Sequence, residues 1–99
     1  MSVDFRTRSV AVPVGKGPRT IADSVVFDSD VRRASVVLNG FKLNFVDGDK
    51  HINIVEADTD LVSISGPMVR FQVQCDYRDK DVDDDYSGYV TATVIADVG

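Results

Sequence analysis

The densest set of reactive side chains lies in Asp76-Tyr77-Arg78-Asp79-Lys80-Asp81-Val82-Asp83-Asp84-Asp85-Tyr86, where six of the first ten residues are aspartates. Carboxylates at alternate positions are hard oxygen donors that can wrap a calcium ion. The run misses the EF-hand register. With Asp79, Asp81 and Asp83 as the first three ligands, Asp84 falls where glycine is needed and Val90 where the bidentate acid belongs. A calcium site of another geometry on these three aspartates stands beside a plainer reading, a solvated acidic turn that keeps a strand edge from pairing. The loop also suits a sugar. Tyr77 and Tyr86 offer aromatic faces, while Arg78, Asp79 and Asp81 offer the charged groups that read hydroxyls.

A second polar cluster is Asp47-Gly48-Asp49-Lys50-His51, with Glu56, Asp58 and Asp60 nearby. Two carboxylates across a cleft perform acid-base chemistry on glycosides, but a 99-residue chain of strands leaves little room for a deep pocket. No enzymatic activity is expected. Cys75 is in phase with Phe71 and Val73, which reads as a small buried hydrophobe; a thiolate nucleophile needs an accessible, electropositive setting. There is no Gly-x-Ser-x-Gly elbow, phosphate loop or dinucleotide glycine fingerprint. One histidine and one cysteine cannot assemble a zinc site.

Charge narrows the partners. The net charge is −5, and it is uneven: residues 1–42 carry seven basic and four acidic side chains, residues 43–99 four basic and twelve acidic. Nucleic acid is excluded as a partner, because phosphate neutralisation needs a basic face. Fifteen of the sixteen acids are aspartate, a residue of turns and caps, so the acids are expected in loops. No apolar stretch approaches the roughly 20 residues of a membrane-spanning helix. A single cysteine cannot form an internal disulfide. The amino-terminal residues lack a secretory h-region, which suggests cytoplasmic synthesis, non-classical export or a mature fragment of a longer chain.

The elements that must position these groups are strands. Val69 to Arg78 alternates apolar and polar without a break, the period of a strand with one face in a core. Tyr89 to Val98 is β-branched and apolar on both faces, as for a strand covered on both sides. Thr7 to Val14 reads as a strand that Pro13 confines to an edge, ended by Gly15-Lys16-Gly17-Pro18. Ser24 to Phe27 is a short strand. Arg33 to Val46 is either a hairpin turning at Asn39-Gly40 or one long strand bulged at Gly40, and the alternation across the pair favours the bulge. A strand from His51 to Glu56, a bend over Ala57 to Asp60 and a strand from Leu61 to Ser65 follow, up to the Gly66-Pro67 turn.

No segment shows helical periodicity and no repeat is visible. The fold class expected is all-β, a six-stranded antiparallel β-sandwich forming a single domain over residues 1–99. Residues 1–23 would supply an edge strand and turn, residues 24–98 the body. The inward set comprises Val36, Leu38, Phe41, Leu43 and Phe45; Ile52, Ile54, Val62 and Ile64; Val69, Phe71, Val73 and Cys75; and Val90, Ala92, Val94 and Ala96. That core is modest, and a last strand apolar on both faces needs a cover that a homo-oligomer would supply.

The order Val26-Phe27-x-x-Asp30-Val31, Val36-Val37-Leu38-Asn39-Gly40-Phe41, Val62-Ser63-Ile64-Ser65-Gly66, Val69-x-Phe71 and Gly88-Tyr89-Val90 resembles the H-type lectin domain over Ser24 to Val98. The resemblance implies a six-stranded antiparallel sandwich, a homotrimer and a shallow galactose-type site near subunit boundaries. The loop before the last strand would supply the sugar contacts, which brings Tyr77, Arg78 and Asp79 nearest. This chain departs from the family in having no tryptophan, its one histidine in an earlier strand and a longer, more acidic loop. The expected function is a non-enzymatic, multivalent carbohydrate-binding module. The alternative is an assembly or adhesion sandwich without a sugar site, and calcium could stabilise either.

Overall fold

A computed structural model describes residues 2–46, 54–78 and 84–99. It contains six strands: β1 (Ser2–Gly15), β2 (Arg19–Val26), β3 (Val31–Phe45), β4 (Ile54–Ser65), β5 (Met68–Arg78) and β6 (Tyr86–Val98). They form two three-stranded antiparallel sheets, ordered β1-β6-β3 and β2-β5-β4. This is the all-β, six-stranded sandwich that the alternation demands. It is a rod, 49 × 17 × 16 Å.

The central strands carry the core because only they are overlaid across their whole width. Val69, Phe71, Val73 and Cys75 of β5 face Tyr86, Val90, Ala92, Val94 and Ala96 of β6, all buried. Val10, Val12, Val25, Phe27, Val31, Leu43 and Val98 complete it. Burying side chains of this size stabilises the fold by about 1.5–3 kcal/mol each.

Strand direction fixes which connections meet. β1 runs from its pairing with Val98 down to Tyr86, β2 returns from Cys75 up to Met68, and the remaining strands keep alternating. The β1–β2 turn and the chain leading out of β3 and β5 therefore sit at one end, the lower end. The β2–β3 loop, the β4–β5 hairpin and the chain terminus meet at the upper end. There Gly66 adopts φ 59°, the left-handed conformation open to glycine, and its carbonyl accepts from Val31 N at 2.9 Å while Pro67 O accepts from Phe27 N at 2.8 Å.

Several sequence expectations are corrected. β3 is one strand whose register shifts between Leu38 and Gly40, so Asn39-Gly40 is a bulge, as the alternation favoured. Ala57 to Asp60 does not bend: β4 continues through it, and the irregularity comes between Leu61 and Ser63. That bulge leaves Val62 unpaired and exposed instead of inward. Leu38 and Phe41 are inward in phase yet more than 40% exposed, since the edge strand β3 overhangs the opposite sheet. Ile52 and His51 lie outside the described residues.

The outer face of β6 is only partly apolar: Ile95 pairs with the exposed Phe5 and Thr93 with the exposed Val37, and polar side chains interrupt the row. Thr7 and Thr93 hydroxyls meet at 3.1 Å and Ser9 and Thr91 at 2.9 Å, a polar cross-strand ladder beside the exposed Tyr89. Nor are the aspartates confined to loops. Asp4, Asp23, Asp58, Asp60, Asp76 and Asp97 are strand residues. β2 begins at Arg19, ahead of the boundary expected near residue 24, and β1 reaches back to Ser2.

Candidate functional site

The lower end brings together the flanks of both polar clusters read from the sequence. Phe45 pairs with Tyr86 and Ile54 pairs with Arg78, so the described residues that flank the two acidic segments lie together at this end. Val46 N donates to Asp85 O at 3.0 Å, tying the end of β3 to the approach of β6. Lys16 of the β1–β2 turn lies 3.6 Å from Asp85. Of the calcium candidates, Asp79, Asp81 and Asp83 lie outside the described residues. Among the described residues no group of three His, Cys, Asp or Glu side chains could hold a metal.

Tyr86 is not a surface aromatic. It is fully buried, and its hydroxyl donates to Gly17 O at 2.7 Å with Cys75 O at 3.3 Å. That bond anchors the β1–β2 turn to the core, so Tyr86 as a sugar-stacking platform is corrected: its ring faces are taken by protein. The phenol has one proton and the near carbonyl takes it, so the Cys75 thiol, with Sγ 3.7 Å away, is the donor between the two. Burial first of all pushes both groups up, Cys75 above its ordinary 9.0 and Tyr86 well above its ordinary 10.0. The thiol is thus a protonated core group, as its phase in the strand indicated. Arg19 closes this corner, with its guanidinium 5.8 Å from the Tyr86 ring centroid and Nη2 donating to Pro13 O at 2.8 Å.

Tyr77 is half-buried. Its ring leans on Phe45 with centroids 4.6 Å apart and meets the edge of Tyr86 at 6.0 Å. Arg78 Nε lies 3.3 Å from Asp76 Oδ2. Asp76 is a buried carboxylate whose Oδ1 has no hydrogen-bond partner among the described residues, so Arg78 is its counter-charge. Sequence phase placed Asp76 on the outer face of β5 but gave no sign of this burial.

Two shallow concavities lie away from the lower end. One, of about 480 Å³, lies at the upper part of the sandwich, lined by Arg33 and Ala34 of β3, Leu61 and Ile64 of β4, and Val3 and Ile95 of β1 and β6. The other, of about 410 Å³, lies beside Ser24, Val62 and Arg70. Neither includes a residue expected to contact sugar. No helix is long and apolar enough to cross a membrane among the described residues. No protein-family model, curated protein or solved structure matches the chain.

Proposed function

We propose that this chain is a non-enzymatic binding module that works as an oligomer and takes carbohydrate as its ligand. The observation that supports this reading is that the strand ends flanking both aspartate-rich segments meet at one end of a six-stranded sandwich, where Tyr77 and Arg78 stand. The sandwich is also the architecture that the lectin resemblance implies. Tyr77 and Arg78, with Asp79 and Asp81 beyond them, are the proposed contacts, and Tyr86 supports them from beneath. Weak sites repeated on a homo-oligomer, a trimer in the lectin resemblance, gain affinity through multivalency.

A second reading, an assembly subunit without a sugar site, is favoured by one specific observation. The Tyr86 ring is buried and the Tyr77 ring leans on Phe45, so neither presents two free faces. A glycan array on the purified chain, with and without EDTA, separates the two. The carbohydrate reading predicts a hit that Tyr77→Ala weakens at least tenfold. Arg78→Lys, which keeps a cation beside Asp76, should weaken it less. Loss of the hit in EDTA assigns calcium to the site; no hit at any display density leaves the assembly reading.

A further inference from the structure

The two long sides of the sandwich are built differently. On the β1–β2 side the inward positions of the first half of β1 are charged, ahead of the buried Val10 and Val12, and two of them pair across the seam: Arg8 with Asp23 at 3.1 Å and Arg6 with Asp28 at 3.7 Å. Arg6 also lies over the Phe27 ring at 4.8 Å. The β3–β4 side has no ion-pair closure among the described residues; one hydrogen bond, from Thr59 Oγ1 to Val36 O at 3.2 Å, links the two strands. Leu38, Phe41, Val55 and Leu61 stand 42–48% exposed along it, with the 480 Å³ concavity at its upper part.

Its charges are also segregated by strand. β3 carries Arg32, Arg33 and Lys42 and no acid, while β4 carries Glu56, Asp58 and Asp60 and no base. Among the described residues Arg33 pairs with Asp97 of its own sheet, at 3.9 Å, and with no other acid. No ion pair joins β3 to β4 among the described residues, and Arg32, Lys42, Glu56 and Asp60 have no ion-pair partner there.

We propose that the β3–β4 side is the surface through which copies of this chain associate, with the basic β3 lip of one copy meeting the acidic β4 lip of the next. A second copy is the occupant because the surface is complementary to itself. Any rotation that sets β3 against β4 of a neighbour pairs opposite charges at both lips and buries the apolar row between them. Setting β3 against β3 opposes like charges. Repeated around an axis, a β3-to-β4 contact closes into a ring. A flank of a rod 49 Å long and about 17 Å across can supply the roughly 800 Å² per partner of a stable interface. The inference rests on the oligomeric half of the function proposed above and gives that oligomer its contact surface.

Sedimentation equilibrium on the intact chain tests it with two pairs of substitutions at the unpaired charges. Glu56→Lys with Asp60→Lys makes both lips basic, and Arg32→Glu with Lys42→Glu makes both acidic. Each pair should weaken association at least tenfold while circular dichroism stays native. All four together restore opposite lips and should return association to within about threefold of the parent. The parent itself should dissociate as salt rises from 50 to 500 mM, a readout that needs no variant. A parent monomeric at 50 μM overturns the proposal, as does association indifferent to both pairs or a four-site variant as weak as either pair. A glycan hit from a monomeric chain would retain the sugar reading and reject this interface. A reversible, charge-dependent oligomer with no glycan hit would do the opposite.

Discussion

The sides of this sandwich solve the same problem in opposite ways. A sheet three strands wide has edge strands for two-thirds of its strands, and each edge must be blunted, covered or used. On the β1–β2 side the seam is closed within the molecule by Arg8–Asp23, Arg6–Asp28 and the Arg6–Phe27 contact, with Pro13 removing a donor from β1. On the β3–β4 side Leu38, Phe41, Val55 and Leu61 stand exposed beside the single Thr59–Val36 hydrogen bond, and opposite charges sit on separate strands without joining them. Charge consumed inside the molecule makes a finished wall. Charge left unpaired around an apolar row makes a surface that another molecule can complete.

The largest effect comes from the residue that holds β3 in place. Gly88 has φ 156° and faces Lys42, whose carbonyl an added Cβ would strike. Gly88→Ala should cost about 4 kcal/mol, measured by urea unfolding, because neither backbone can yield without breaking the β3–β6 ladder. A cost below about 1 kcal/mol would mean that the open side is not built on that pairing.

Tyr86→Phe loosens the opposite side, since it removes the donor to Gly17 O that anchors the β1–β2 turn. The expected cost is about 1–2 kcal/mol, with the Gly17 carbonyl left unpaired. This site also sets an alkaline limit. Burial holds Cys75 and Tyr86 protonated in the fold, so the unfolded chain releases their protons first. Their contribution is complete below about pH 9, the ordinary thiol value, and falls as pH rises through 9.0, then 10.0 and beyond. In Tyr86→Phe the decline above pH 10 should flatten, and unfolding curves between pH 8 and 11 measure it.

The smallest effect separates the sides most cleanly. Arg8→Gln removes a solvent-accessible ion pair and should cost no more than about 0.5 kcal/mol without altering association. Leu61→Ser should cost equally little in the monomer, because Leu61 is already 43% exposed, yet should weaken association severalfold. Equal effects of the two on association would remove the distinction between the sides.

Much of the frame was legible because period-2 alternation is a direct imprint of a half-buried strand. Val69 to Arg78 announces β5 almost residue for residue, and Pro13 marks β1 as an edge. Asn39-Gly40 could be read as a bulge because the apolar phase resumes after it. What sequence concealed was burial set by partners rather than by pattern. Asp4 and Arg6 occupy inward positions of β1 with charges that hide the period, so the strand is read from Thr7 when it begins at Ser2. Asp58 and Asp60 imitate a turn inside a continuous β4. Tyr86, at the end of an acidic run, looked like a surface aromatic, and only the antiparallel return of β6 beneath the β1–β2 turn buries it. The open β3–β4 side was equally hidden, since Leu38 and Phe41 have the phase of core residues and their exposure depends on how far the opposite sheet extends.

Hydrogen exchange followed at 1 μM and at 100 μM tests the difference between the sides most directly. The account predicts that amides of β3 and β4 gain protection at the higher concentration while those of β1 and β2 exchange at the same rate in both. Protection that rises along β1 and β2 instead, or that is independent of concentration everywhere, would contradict it.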